Sequence, residues 1–217
     1  MKKLLFIAAL AVSSLGFSQS NEKGTFHINL LGGFAFGGNV TDKSTFENES
    51  FTQKFSFASG TYGLNVHYGV ADKISAGLGI TSGSYILTNK TVNLDDFGVS
   101  FAQTMSLFTV TGQGRYYIVN NDDFNFYGGV NLGFASATDK FGGLTTNLSV
   151  NSFKASGLAY GLNTGINYYW GNVGGIVQLG YDGAALSGKI TDGNDSIKVS
   201  RSVGGISFMA GLAIKIN

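Results

Sequence analysis

His27 and His67 are the only two histidines in the chain, and cysteine is absent. Zinc is held by His, Cys and carboxylate donors, usually three or four together. Two histidines could begin such a site. Neither has a carboxylate at a spacing that would complete it, so both read as polar plugs of an interior. Arg115 and Lys215 are the next candidates. A charge turned toward an interior needs a partner. Asn65 and Gln113 are the expected partners, because Asp182 falls toward the opposite end of its segment. A serine hydrolase would need a nucleophile on a sharp strand-to-helix turn, and no such elbow is present. Gly32-Gly33 and the other glycine pairs precede no helix, so they make no phosphate loop. The sequence therefore predicts a non-enzymatic protein with no catalytic, cofactor-binding or metal-binding set and no cofactor.

What must position these residues is clearest in residues 156–182. Leu158, Tyr160, Leu162, Ile166, Tyr168 and Trp170 occupy every second position, with Thr164 the exception. Small or polar residues fill the alternate positions, Gly157, Gly161, Asn163, Gly165 and Asn167 among them. After Gly171-Asn172 the alternation resumes with Val173, Val177, Leu179 and Tyr181 opposite Gly174, Gln178, Gly180 and Asp182. Period-two patterning around a Gly-Asn turn predicts a β-hairpin. Its strands exceed the usual globular length.

Five more strands and a final one follow from the same pattern. The first covers about residues 25–37, with Phe26, Ile28, Leu30, Phe34 and Phe36 on one face and Leu31 out of pattern on the other. The second covers about 55–70, with Tyr62, Leu64, Val66, Tyr68 and Val70 outward. Phe57 lies on the wrong parity, which predicts a bulge near Ser59-Gly60. The third covers about 74–88, the fourth about 101–119 and the fifth about 124–138. The last covers about 202–216. Tight turns are expected at Ala71-Asp72-Lys73, at residues 120–123 and at Gly171-Asn172. Polar loops are expected at about 38–54, 89–100, 139–155 and 183–201. Short and long connections thus alternate, which is the asymmetry of outer-membrane barrels.

Charge follows the same plan. Asp42, Glu47, Glu49, Asp95, Asp96, Asp139, Asp192 and Asp195 fall in the expected loops. Within the alternating segments only Arg115, Lys215 and Asp182 are charged, all on the polar face. Phe26, Tyr68, Tyr116, Phe124 or Phe126, Tyr168 and Trp170 lie beside the N-terminus or a short turn and would form one aromatic girdle. Phe34, Phe36, Phe55, Phe101, Phe134 and Tyr181 would form the other. The fold class is therefore all-β: an eight-stranded antiparallel up-and-down transmembrane β-barrel. Its narrow lumen would be packed by inward side chains, with glycines relieving the crowding. A soluble ligand-binding barrel would need apolar inward faces, and here the large apolar residues share the other face.

Lys2-Lys3, the apolar stretch 4–12 and Gly16-Phe17-Ser18 have the form of a secretory signal peptide. Residues 1–18 are expected to be removed, leaving residues 19–217 as one barrel domain. Glycine accounts for 33 residues and proline for none, which suits a closed barrel in which every strand is central. The net charge of +1 offers no basic footprint for nucleic acid.

The signal peptide ending in Ser-Gln, the turn Val70-Ala71-Asp72-Lys73-Ile74 and the strand end Arg115-Tyr116-Tyr117 resemble Bacteroidetes outer-membrane β-barrel proteins, within the broader OmpA-like eight-stranded barrel superfamily. The chain closes on Lys215-Ile216-Asn217 where many such barrels close on an aromatic residue. The resemblance implies localisation in the cell outer membrane, with membrane lipids and the barrel-insertion machinery as partners. It implies a structural, envelope-integrity or surface-loop interaction role, with an extracellular ligand reached through the long loops. A narrow porin-like channel for ions or small solutes is the alternative, and a binder of a small apolar ligand the third.

Overall fold

The computed structural model describes residues 20–46, 49–89, 102–142, 153–192 and 195–216. Residues 1–19, on which the expected signal peptide falls, residues 90–101 with Asp95, Asp96 and Phe101, residues 143–152 and 193–194 and Asn217 lie outside the described residues, as do Glu47 and Asn48. The strands are β1 (Phe26–Phe46), β2 (Glu49–Ala71), β3 (Ile74–Asn89), β4 (Ala102–Asn120), β5 (Phe124–Gly142), β6 (Lys154–Trp170), β7 (Val173–Asp192) and β8 (Asp195–Ile216). Each pairs antiparallel with the next, and β1 closes the ring against β8. Closure leaves no strand edge unpaired in lipid.

The three tight turns fall where the sequence places them, and Gly171 takes a φ of +78°, which only glycine adopts without strain. Outward residues match the expected parity. Leu78, Tyr62, Leu132, Leu162 and Trp170 are among the most exposed large apolar side chains. Phe26 stacks against Tyr68, and Tyr168 against Trp170, in the girdle beside the short turns. Phe34 contacts Phe36 and Phe208 in the other.

Four expectations are corrected. Residues 38–54 and 183–201 are not loops: β1 runs on to Phe46, β2 starts at Glu49, β7 reaches Asp192 and β8 starts at Asp195. The third loop is also shorter than expected, since β5 continues to Gly142 and β6 begins at Lys154. The bulge sits on β1 opposite the expected place, with the register shifting between Ala35 and Asn39 against Ser59 and Ser56. Gly37 takes a φ of +68° there, so the extra residue is absorbed by glycine rather than by β2. Phe55 belongs to no girdle; it is buried inside the barrel beside Phe57.

These corrections share one cause. Crossing the hydrocarbon takes about 9–11 tilted residues, and β1, β2, β7 and β8 have 21, 23, 20 and 22. Half of each strand therefore stands outside lipid, where the preferred polarity of the two faces reverses. Above Phe36, Tyr62, Phe108, Leu158 and Tyr181 the outward face carries Lys43, Lys54, Ser106, Lys154, Ser187 and Lys189, all exposed. On the inner face Val40, Phe55, Phe57, Leu87, Met105, Leu107, Leu186, Val199 and Val203 form a buried apolar core. The interior thus mixes polar side chains with a smaller apolar cluster within the membrane, and beyond it is mainly apolar around one charged group.

Candidate functional site

The polar half of the lumen holds the residues singled out by their chemistry. His27 and His67 are register partners on β1 and β2, and both are fully buried. Asn21 Oδ1 only accepts, so His27 Nε2 donates to it at 3.2 Å, and His27 Nδ1 accepts from the Tyr169 hydroxyl at 2.9 Å. His67 Nε2 donates to Gln113 Oε1 at 2.8 Å. Gln113 Nε2 in turn donates to Asn65 Oδ1 at 3.2 Å and to Thr111 Oγ1 at 3.3 Å. Each imidazole is occupied by neutral groups, and among the described residues no set of three metal-ligating side chains forms.

Sequence reasoning missed Ser75, whose hydroxyl lies 3.5 Å from His67 Nδ1 and 3.3 Å from the Tyr117 hydroxyl. Ser75, His67 and Gln113 thus make a serine–histidine–amide chain, which spacing in sequence could not reveal. The Ser–His contact is at the limit of a hydrogen bond. Both side chains are sealed from solvent, so the chain works as interior packing.

Arg115 is buried, but Asn65 and Gln113 do not meet it as expected. Its three guanidinium nitrogens make no hydrogen bond, and the group lies 4.3 Å from the centre of the Tyr127 ring. Gln113 is spent on His67 instead. Replacement of Arg115 by methionine keeps the volume and removes a buried charge without a counter-ion. Stability in urea is expected to stay unchanged or to rise by about 1–4 kcal/mol, as read from the midpoint of unfolding in lipid vesicles. Lys215 donates to the Asp122 carbonyl at 3.2 Å and lies 5.3 Å from the Tyr169 ring, which anchors it at the short-turn rim.

The mouth at the short-turn end is covered by the segment preceding β1. Ser20 N donates to the Asn121 carbonyl at 3.0 Å, and Gly24 N to the Gly69 carbonyl at 2.8 Å. Asn21 Nδ2 donates to the Ala71 and Asp72 carbonyls at 3.0 and 3.2 Å. Asn120 accepts from Asn21 N and donates back to the Asn21 carbonyl, at 2.9 and 2.8 Å. Ser20 and Asn21 have no exposed surface. This plug is tied to two of the three short turns.

The other end is closed by charge. Arg201 on β8 forks onto Asp42 of β1, with Nε–Oδ1 and Nη2–Oδ2 both 2.7 Å, and its Nη1 reaches Asp139 of β5 at 2.6 Å. Its guanidinium also lies 5.2 Å from the Phe153 ring. Arg201 is five residues above Ile206, beyond the apolar outer band. Burial works against its charge, but the hydrogen bonds to Asp42 and Asp139 outweigh this and raise its pKa above the ordinary value. Asp42 and Asp139 were expected in loops and Arg201 at a loop end; all three are strand residues facing inward.

Fold and interior together define a transmembrane β-barrel whose wall continues beyond the apolar band, with the Ser20-Asn21 plug at one end of its lumen and the Arg201 clamp toward the other. No protein-family model matches the chain, and no curated protein matches it. Among solved structures it is similar to the outer membrane protein OprG from Pseudomonas aeruginosa. The TM-score is 0.63 at 19% identity, covering 92% of this chain and 100% of that one. It is also similar to the outer membrane protein AlkL, determined by solid-state NMR in DMPC lipid bilayers. There the TM-score is 0.51 at 15% identity, covering 93% of this chain and 94% of that one. The likeness shows the fold, that of outer membrane barrels.

Proposed function

We propose that the chain is exported through a cleaved signal peptide and serves in the outer membrane of a Gram-negative cell as a non-conducting barrel. Its extracellular wall presents an interaction surface, and the barrel itself contributes to envelope integrity. Closure of the lumen at both ends, by the plug at Ser20-Asn21 and by the Arg201 clamp, carries this reading. Cleavage after Ser18 would place the new N-terminus one residue before the plug. The resemblance to Bacteroidetes and OmpA-type barrels supports the same assignment.

The wall also suggests the kind of partner. Lys43, Lys54, Lys154, Lys189 and Lys198 stand exposed on its outer face. Lys189 and Lys198 are direct register partners, an arrangement that like-charge repulsion disfavours. An acidic partner outside the cell would offset it. In planar bilayers the refolded protein is expected to give no discrete conductance steps. Regular steps, persisting across preparations, would overturn the closed reading in favour of the narrow channel.

A further inference from the structure

Between the amide layer at Asn65 and Gln113 and the apolar core above it, the lumen holds a cavity of about 70 Å³. Asp182 lines it. Asp182 Oδ2 accepts from Ser207 Oγ at 2.6 Å, and Oδ1 accepts from Asn131 Nδ2 at 3.2 Å. A carboxylate offers about four acceptor sites, so half of its capacity is left over. Among the described residues no cation pairs with Asp182; the ion pairs formed there belong to Arg201. Phe57 and Tyr85 line the same cavity, their ring centroids 5.0 Å apart and their planes tilted by 60°.

Glycines seat all three side chains. A Cβ at Gly161 would collide with Asp182 Oδ1, one at Gly205 would come within 2.6 Å of the Phe57 ring, and one at Gly83 within 2.9 Å of the Tyr85 ring. A carboxylate with spare acceptor sites beside two aromatic rings is the donor set of an ammonium group. The oxygens take its N–H bonds and balance its charge, and the ring faces attract it through their quadrupoles. Anions are repelled by the same carboxylate, and a purely apolar molecule would leave it unpaired.

We propose that this cavity binds a small alkylammonium ion, its nitrogen on Asp182 and its carbon against Phe57 and Tyr85. Arg115, two residues nearer the periplasmic turn than the cavity-lining Gln113, sets an unpaired positive charge beneath the site. A cation is therefore held rather than passed on. The test is a titration of the refolded protein in micelles with ethylammonium chloride at constant ionic strength, following the amide resonances of Gly161, Gly183 and Ser207. Saturable shifts confined to the cavity are expected. Asp182→Asn should weaken them about tenfold or more, the worth of a hydrogen bond to a charged group. Tyr85→Leu, which leaves the carboxylate in place, should weaken them several-fold, as expected for loss of one cation–π face. Equal shifts from sodium chloride, an unchanged titration in both variants, or no saturation in a protein with a folded spectrum would each overturn the proposal.

Discussion

Replacing Arg201 by methionine is expected to open the extracellular end of the barrel while the membrane-embedded end stays folded. The substitution leaves Asp42 and Asp139 facing an apolar interior with no cation, and their side chains are only 15% and 1% exposed. Breaking a buried pair by removing one partner costs about 3–5 kcal/mol, because the remaining charge is uncompensated. Amide hydrogens of Val40 and Val203 should then exchange about a hundred to several thousand times faster, at a factor of ten for each 1.4 kcal/mol. Trypsin added to intact cells should gain access to Lys43 and Lys198. Arg201→Lys should fall between, since an ammonium is a point charge and cannot reproduce the fork onto Asp42. Combining Arg201→Met with Asp42→Asn and Asp139→Asn should restore much of the loss. Unchanged exchange in Arg201→Met would mean that the clamp contributes nothing to closure.

Leu162→Arg should destabilise the barrel by about 2–4 kcal/mol, the cost of a basic side chain at the middle of a lipid-facing surface. Leu162 sits midway along β6, is 63% exposed, and is flanked in register by Val130 and Tyr181. Ser156→Arg on the same strand and face is the control. Ser156 lies above the apolar band, so its replacement should cost about 0–1 kcal/mol. Urea unfolding in lipid vesicles measures both. Equal costs at the two positions would remove the boundary between the lipid-facing and water-facing halves of the wall.

The membrane half of the fold is legible in the sequence because one rule operates along it. Leu158, Tyr160, Leu162, Ile166, Tyr168 and Trp170 stand on one parity, and that parity is the lipid face. The pairing of His27 with His67 follows from the same rule and from their places near the short-turn ends of two consecutive strands that pair. The outer half was misread because the rule inverts. Phe55 and Phe57 are inward, and Lys54, Ser56 and Ala58 are outward. At the crossover the apolar positions change parity, which in a linear reading looks like the end of a strand. Phe57 is the visible sign of this, and in a linear reading it looks like a bulge on its own strand. The Arg201 clamp was out of reach for a different reason. Its partners lie 159 and 62 residues away, and no local pattern encodes such distances. Arg115 lacks its expected partners because Gln113 is committed to His67, Asn65 and Thr111 instead.

Because the wall changes its surroundings halfway up, a single chain carries two thermal responses. Unfolding the outer half moves Val40, Phe55, Leu87, Leu186 and Val203 from a dry interior into water. Apolar hydration gives that step a large positive heat-capacity change and a curved dependence on temperature. The outer half therefore behaves like a small water-soluble domain and weakens on cooling as well as on heating. The lower half already presents its large side chains to hydrocarbon when folded, so its tenure is set by the thickness and composition of the bilayer. Cold acts mainly on the end that meets the outside world.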